Sequence, residues 1–195
     1  TAGFKGQATA AAQSGSTSSF VILTSRNIPV SDSDQDFLAR RRTLRRSLRA
    51  RRRALSAGQR RQASQRLGRH LAAHPSLRYA RRIALYLPND GEIDPGSLLQ
   101  YRRGHRWQFF LPVLDPVYPG LLRFAPWRPG QPMARNRFGI PEPTLRGRRP
   151  AAWTLDVILM PLVAFDDAGR RLGMGGGFYD RTLAKLKARP RHPQL

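Results

Sequence analysis

The chain has 195 residues, enough for one α/β domain with a tail and short for two independent domains, and no apolar stretch approaches the ~18–20 residues of a membrane helix, so a soluble protein is expected. It contains no cysteine, which excludes disulfides, thiolate metal sites and cysteine nucleophiles and makes a reducing cytoplasm the default expectation. The 35 Lys and Arg against 12 Asp and Glu give a formal charge of +23, which suits a nucleic acid, a small phosphorylated ligand or an Arg-rich solvated surface alike.

Residues 1–35 are rich in Ala, Ser, Thr and Gly and lack helical or strand periodicity, so they are read as a disordered extension, with one α/β domain from residue 36 to 195. Phe37, Leu44, Leu48 and Leu55 then fall seven, four and seven apart on one face of an Arg-covered helix. Ser56 is the expected N-cap of a second helix, carrying Ala63, Leu67 and Leu71 at spacing four and closed by His74-Pro75. The apolar run 83–87 reads as a strand ended by the turn Pro88-Asn89-Asp90-Gly91, after which Asp94-Pro95 starts a helix.

Residues 107–111 and 121–124 are the next expected strands. Six prolines between Ala125 and Pro150 predict an irregular flap over a site. Residues 155–160, apolar apart from Asp156, form a strand expected at the centre of the sheet, and residues 177–187 a helix. This order predicts a three-layer α/β/α domain with a mostly parallel, Rossmann-like sheet, two helices before its first strand, and ligands beyond the strand C-termini.

The chemistry is expected in Arg171-Leu172-Gly173-Met174-Gly175-Gly176-Gly177-Phe178-Tyr179-Asp180-Arg181, between the expected central strand and the last helix. Glycines without Cβ atoms let the backbone turn sharply and aim several N–H groups at one anion beside a helix N-terminus. Arg171 adds a charged fork, and Asp180 offers oxygen ligands to Mg2+ held on a polyphosphate. The pattern is neither a Walker A loop nor the spaced dinucleotide fingerprint, and on its own it fits a flexible turn as well.

The wider constellation resembles the 5-formyltetrahydrofolate cyclo-ligase (methenyltetrahydrofolate synthetase) family. The likeness runs from about residue 40 to the end. It rests on Arg41-Arg42-Thr43-Leu44-Arg45 with Arg52 and Leu55-Ser56, on Ile83-Ala84-Leu85-Tyr86-Leu87 leading to Gly91-Glu92-Ile93-Asp94, and on Leu111-Pro112-Val113. Phe138-Gly139-Ile140-Pro141-Glu142-Pro143, Pro161-Leu162-Val163-Ala164-Phe165-Asp166 and the glycine segment complete it. The resemblance implies ATP-dependent conversion of 5-formyltetrahydrofolate to 5,10-methenyltetrahydrofolate, with Mg2+ and release of ADP and phosphate; separately, a monomer with no obligate protein partner and no membrane association is expected.

Carried over by position, Arg41 and Arg45 match basic nucleotide-binding positions, with Arg where Lys is usual at the first. Residues 171–179 match the loop that touches ATP: Arg171, Leu172, Gly173, Met174, Gly175, Gly176, Gly177, Phe178 and Tyr179. Arg171 and Tyr179 are the implied catalytic groups. Glu92, with Met174, Gly175, Gly176, Gly177 and Phe178, matches the folate contacts, Asp180 a magnesium ligand, and Trp127 and Tyr179 are candidates to stack on the pterin. Family members continue past the equivalent of Leu195 by about a strand, a turn and a further strand of typical length, so a C-terminal truncation is expected. The stretch from Arg41 to Arg53 also fits a nucleic-acid binder, and a truncated chain fits an inactive folate- or nucleotide-binding remnant.

Overall fold

The computed structural model describes residues 4–6, 34–102, 104, 106–144, 150–184, 186 and 193–195. In chain order it contains β1 (Phe4–Gly6), α1 (Asp34–Arg53), α2 (Ala57–Ala73), α3 (Pro75–Arg78), β2 (Arg82–Ala84) and a 3-10 helix, Pro95–Tyr101. There follow β3 (Gln108–Leu114), β4 (Leu122–Trp127), β5 (Met133–Arg135), β6 (Pro141–Pro143) and a second 3-10 turn, Ala152–Thr154. The last elements are β7 (Val157–Ile158), β8 (Ala164–Asp166), β9 (Arg171–Leu172) and α4 (Phe178–Leu183). Most of the segment read as disordered, 7–33, lies outside the described residues, while Phe4–Gly6 pairs antiparallel with β8.

The main sheet has the order β4-β3-β2-β7, with β2 parallel to both β3 and β7 and β4 antiparallel to β3. Strand side chains alternate between faces, so two cores form. Ile83, Leu85, Phe109, Leu111, Val157 and Leu159 meet Leu71 of α2, Leu77 of α3 and Leu98 of the 3-10 helix. Ala84, Phe110, Phe124 and Ile158 meet Leu183 and Leu186 on the other face. Helical elements thus cover both sides of a mostly parallel sheet, giving the predicted three layers, and each fully buried Leu or Ile stabilises the fold by about 1.5–3 kcal/mol.

Two expectations change. The run 155–160, apolar apart from Asp156, supplies β7, which ends the four-strand order and, among the described residues, has a parallel bridge from Gln194 on its far side. Val157 and Ile158 are apolar in succession because both sheet faces are covered, a condition an end strand also meets. The proline-rich segment contains strands: β4 runs through Pro126 to Trp127, and β5 pairs with β6 at Met133↔Pro143 and Arg135↔Pro141. Proline is tolerated there because β4 lies at the sheet edge and β6 has a single partner.

Ser56 caps α2 as expected. Its Oγ accepts the Gln59 N–H at 3.2 Å while Gln59 Oε1 accepts the Ser56 N–H at 2.8 Å, a reciprocal box that satisfies two N–H groups. Ser56→Ala is expected to destabilise the protein by about 1 kcal/mol and lower its melting temperature by roughly 2–4 °C, read by thermal denaturation.

Candidate active site

The third core places the site. Leu48 and Leu44 of α1 pack on Val163, Ala164 and Leu172, so α1 lies along the β8–β9 hairpin rather than on the main sheet. The glycine segment therefore follows this hairpin and not the β7 strand directly, contrary to the sequence reading. Asp166 holds the hairpin turn: its Oδ1 accepts the Arg170 N–H at 2.8 Å and its Oδ2 accepts Arg170 Nε at 2.6 Å. Burial alone would raise the Asp166 carboxyl, but these bonds and the Arg170 charge outweigh it and hold the group below its usual range.

Residues 173–177 then turn into α4. Gly177 is the N-cap at φ +65°, in the left-handed region that glycine occupies without penalty. Arg45 of α1 donates from Nε to the Gly173 carbonyl at 2.8 Å, and its guanidinium carbon lies 3.5 Å from where a Cβ on Gly175 would stand. Arg181 donates from Nη2 to the Gly176 carbonyl at 2.8 Å. A planar trans peptide opposes its C=O and N–H, so turning these two carbonyls toward arginines turns the N–H groups of Met174 and Gly177 the other way. The loop is thereby shaped to present donors to an anion.

Around it stand the remaining candidates. Arg171, largely buried, pairs with the exposed Asp180 carboxylate and lies 6.0 Å from the centre of the Tyr179 ring. The Tyr179 hydroxyl is buried with no hydrogen-bond partner among the described residues. Burial, followed by the field of Tyr86, raises its pKa, so it stays protonated as a donor. Arg45 is pulled below its usual pKa by burial and by repulsion from Arg41 and Arg42, a strain that a bound anion would relieve. Met174, Gly175 and Gly176 are exposed, and Phe178 meets Phe138 of the β5–β6 turn edge-on at 5.6 Å.

Other predicted residues stand elsewhere. Leu172 is fully buried, its side chain spent on the third core. Arg41 rests over the Phe37 ring at 5.3 Å. Trp127 packs at the margin of the first core. Glu92 is buried: Oε2 accepts the Asn89 N–H at 3.1 Å and Oε1 faces Arg52 Nη1 at 3.4 Å. Burial raises the Glu92 carboxyl despite these partners, and its charge is felt by both Tyr86 and Tyr179, which connects it to the loop region.

Sequence reasoning assigned no role to Arg52, Asp90, Arg181 or Glu142. Glu142 accepts both the Leu114 N–H and Asn136 Nδ2, fixing the β5–β6 hairpin to β3. Arg52 had a visible signal, since it continues the Leu44, Leu48 spacing of four and so shares their buried face.

The fold and this site define an α/β protein with an arginine-clasped glycine loop between a β-hairpin and its last described helix. Residues 38–194 match the sequence model of the 5-formyltetrahydrofolate cyclo-ligase family, and the chain belongs to that family of ligases. It is 42% identical over 139 residues to the 5-formyltetrahydrofolate cyclo-ligase of Escherichia coli, spanning 70% of this chain and 75% of that protein. It is 43% identical over 145 residues to the corresponding protein of Haemophilus influenzae, spanning 74% and 78%. Among solved structures, the 5,10-methenyltetrahydrofolate synthetase of Aquifex aeolicus aligns with a TM-score of 0.63 at 32% identity, covering 75% of this chain and 73% of that one. The Mycoplasma pneumoniae synthetase, at 22% identity and a TM-score of 0.57, shares the fold.

Proposed function

We propose that this chain converts 5-formyltetrahydrofolate to 5,10-methenyltetrahydrofolate, with ATP hydrolysed to ADP and phosphate. The observation that carries this reading is the clasped loop: two carbonyls of residues 173–177 turned onto Arg45 and Arg181, beside Arg171 and the unpartnered hydroxyl of Tyr179. The formyl oxygen is a poor leaving group. Transfer of the terminal phosphoryl group of ATP to that oxygen forms an imidate phosphate and ADP. The neighbouring anilino nitrogen then attacks the activated carbon, loses its proton, and the C–O bond breaks to release phosphate and close the ring.

Both steps demand positioning and positive charge around phosphoryl oxygens. Loop N–H groups with Arg45 and Arg171 supply these, and Arg41 lies one helical turn before Arg45. In this reading the buried Tyr179 hydroxyl donates to a ligand oxygen, which would remove the roughly 1–3 kcal/mol cost of leaving it unmet. Glu92, fixed by Arg52 and the Asn89 N–H, offers a buried carboxylate to the N–H donors of a pterin.

Mg2+ fits this donor set in a limited way. Asp180 is an exposed carboxylate held by Arg171, and a nucleotide-carried magnesium takes one or two carboxylates with phosphate oxygens and water. Asp180 would hold the ion, which neutralises phosphate charge when bound, while Arg171 is freed to turn toward a phosphate.

The test is near-ultraviolet absorbance of the methenyl product after mixing protein, 5-formyltetrahydrofolate and Mg2+ with and without ATP. A rise that requires ATP is expected. ATP hydrolysis indifferent to the folate, or no product band with ATP present, overturns the reading.

A further inference from the structure

Arg181 reaches beyond the Gly176 carbonyl that it clasps, and the reading above gives that second reach no part. Its Nη2 donates to the Gly176 carbonyl at 2.8 Å, and its Nε donates to the Gly120 carbonyl at 3.1 Å. Its guanidinium carbon also lies 5.3 Å from the centre of the Phe178 ring. Gly120 closes the turn between β3 and β4, 61 residues away in sequence. One planar fork therefore ties the glycine loop to an edge of the main sheet, a bridge that a point charge could not make with the same geometry.

Both ends of the bridge are shaped around that fork. A Cβ on Gly120 would stand 3.0 Å from Arg181 Nη2, and Gly120 sits at φ +87°, where side chains are strained. A Cβ on Gly177 would stand 2.5 Å from Arg181 Nη1. The next α4 residue repeats the attachment without involving the loop, since Thr182 Oγ1 accepts the Leu122 N–H at 2.8 Å. The two neighbouring ties thus differ in what they hold. Thr182 fastens helix to strand, whereas Arg181 also reaches a loop carbonyl.

We propose that Arg181 is a positioning residue that fixes the Gly176–Gly177 peptide by bridging it to Gly120, and so sets the affinity of the loop for the ATP phosphates. The proposal rests on the ATP-binding reading above. By holding the Gly176 carbonyl, Arg181 fixes the opposed direction of the Gly177 N–H. Release of the carbonyl lets the peptide rotate among several orientations, of which one binds, and apparent affinity falls with that fraction.

The test is a double-mutant cycle read by ATP titration calorimetry on the whole chain, with steady-state turnover beside it. Arg181→Gln and Gly120→Ala are each expected to weaken ATP binding about tenfold, and the double variant by no more than about threefold beyond the weaker single, because both break one bridge. The kcat at saturating ATP should stay within about threefold of wild type. Thr182→Val should lower the melting temperature while leaving ATP affinity within about twofold. Arg181→Gln binding ATP as wild type does, or Gly120→Ala leaving affinity unchanged while Arg181→Gln lowers kcat, overturns the assignment and points in the second case to direct phosphate contact. A wild-type chain that turns over folate while these variants match it sinks this proposal alone. One that binds no ATP sinks it together with the proposed function.

Discussion

Gly177→Val is expected to raise the apparent dissociation constant for ATP by roughly thirtyfold or more while the protein remains folded. The left-handed conformation at φ +65° costs a side-chain-bearing residue about 1–2 kcal/mol, and a β-branched side chain is a true outlier there. The new Cβ would also stand 2.5 Å from Arg181 Nη1, so the guanidinium must withdraw from the Gly176 carbonyl or the loop must move. Strain and lost bridge together amount to about 2–3 kcal/mol, and a factor of ten in affinity corresponds to 1.4 kcal/mol at equilibrium. Titration calorimetry with ATP and a parallel thermal melt check this. A variant that binds ATP within about threefold of wild type would show that the cap conformation is not the one that binds phosphate.

The same residue shows what a sequence can and cannot reveal. Three successive glycines announce a loop with unusual backbone freedom, and the resemblance to a ligase family located it. The family assignment and the layered α/β architecture both stand. What the glycines do not announce is which arginine holds which carbonyl. Arg45 lies 128 residues before Gly173, and the pairing exists only because Leu44 and Leu48 seat α1 on the β8–β9 hairpin.

That hairpin was itself invisible, because strands of three and two residues carry too few alternations to register a period of two. β7 failed differently. Its apolar succession from Val157 to Met160 reports that both sheet faces are covered, and that condition says nothing about how many strands flank it. The flap failed because proline excludes sheet interiors but not edges, and the strands described between residues 125 and 143 are edges. Long, strongly patterned elements were legible throughout: α1 and α2 appear with the Ser56 cap and the His74-Pro75 break in place.

Arg52→Ala is expected to destabilise the fold by about 3–5 kcal/mol and to lower the melting temperature by roughly 6–20 °C, the largest stability effect of any single arginine here. Its guanidinium is buried and makes four contacts: Nε to the Asp90 carbonyl at 3.0 Å, Nη2 to Asp90 Oδ2 at 3.0 Å, Nη1 to Glu92 Oε1 at 3.4 Å and to the Leu162 carbonyl at 3.2 Å. These join α1 to the turn after β2 and to the chain entering β8. Truncation leaves a buried carboxylate at Glu92 and a half-buried carbonyl at Leu162 without their arginine partner, and unmet charge in a low-dielectric interior costs more than the lost contact itself.

Asp90 fares better, because Arg49 Nε at 2.6 Å and Arg53 Nη1 at 3.2 Å also reach it. Neutralising the stranded charge should therefore restore part of the loss: adding Glu92→Gln to Arg52→Ala is expected to recover about 1–2 kcal/mol, whereas Asp90→Asn should recover less. Urea denaturation of the single and double variants measures both differences. Arg52→Ala melting within about 2 °C of wild type would mean that water or a neighbouring arginine replaces the guanidinium, and that Glu92 is held by something other than α1.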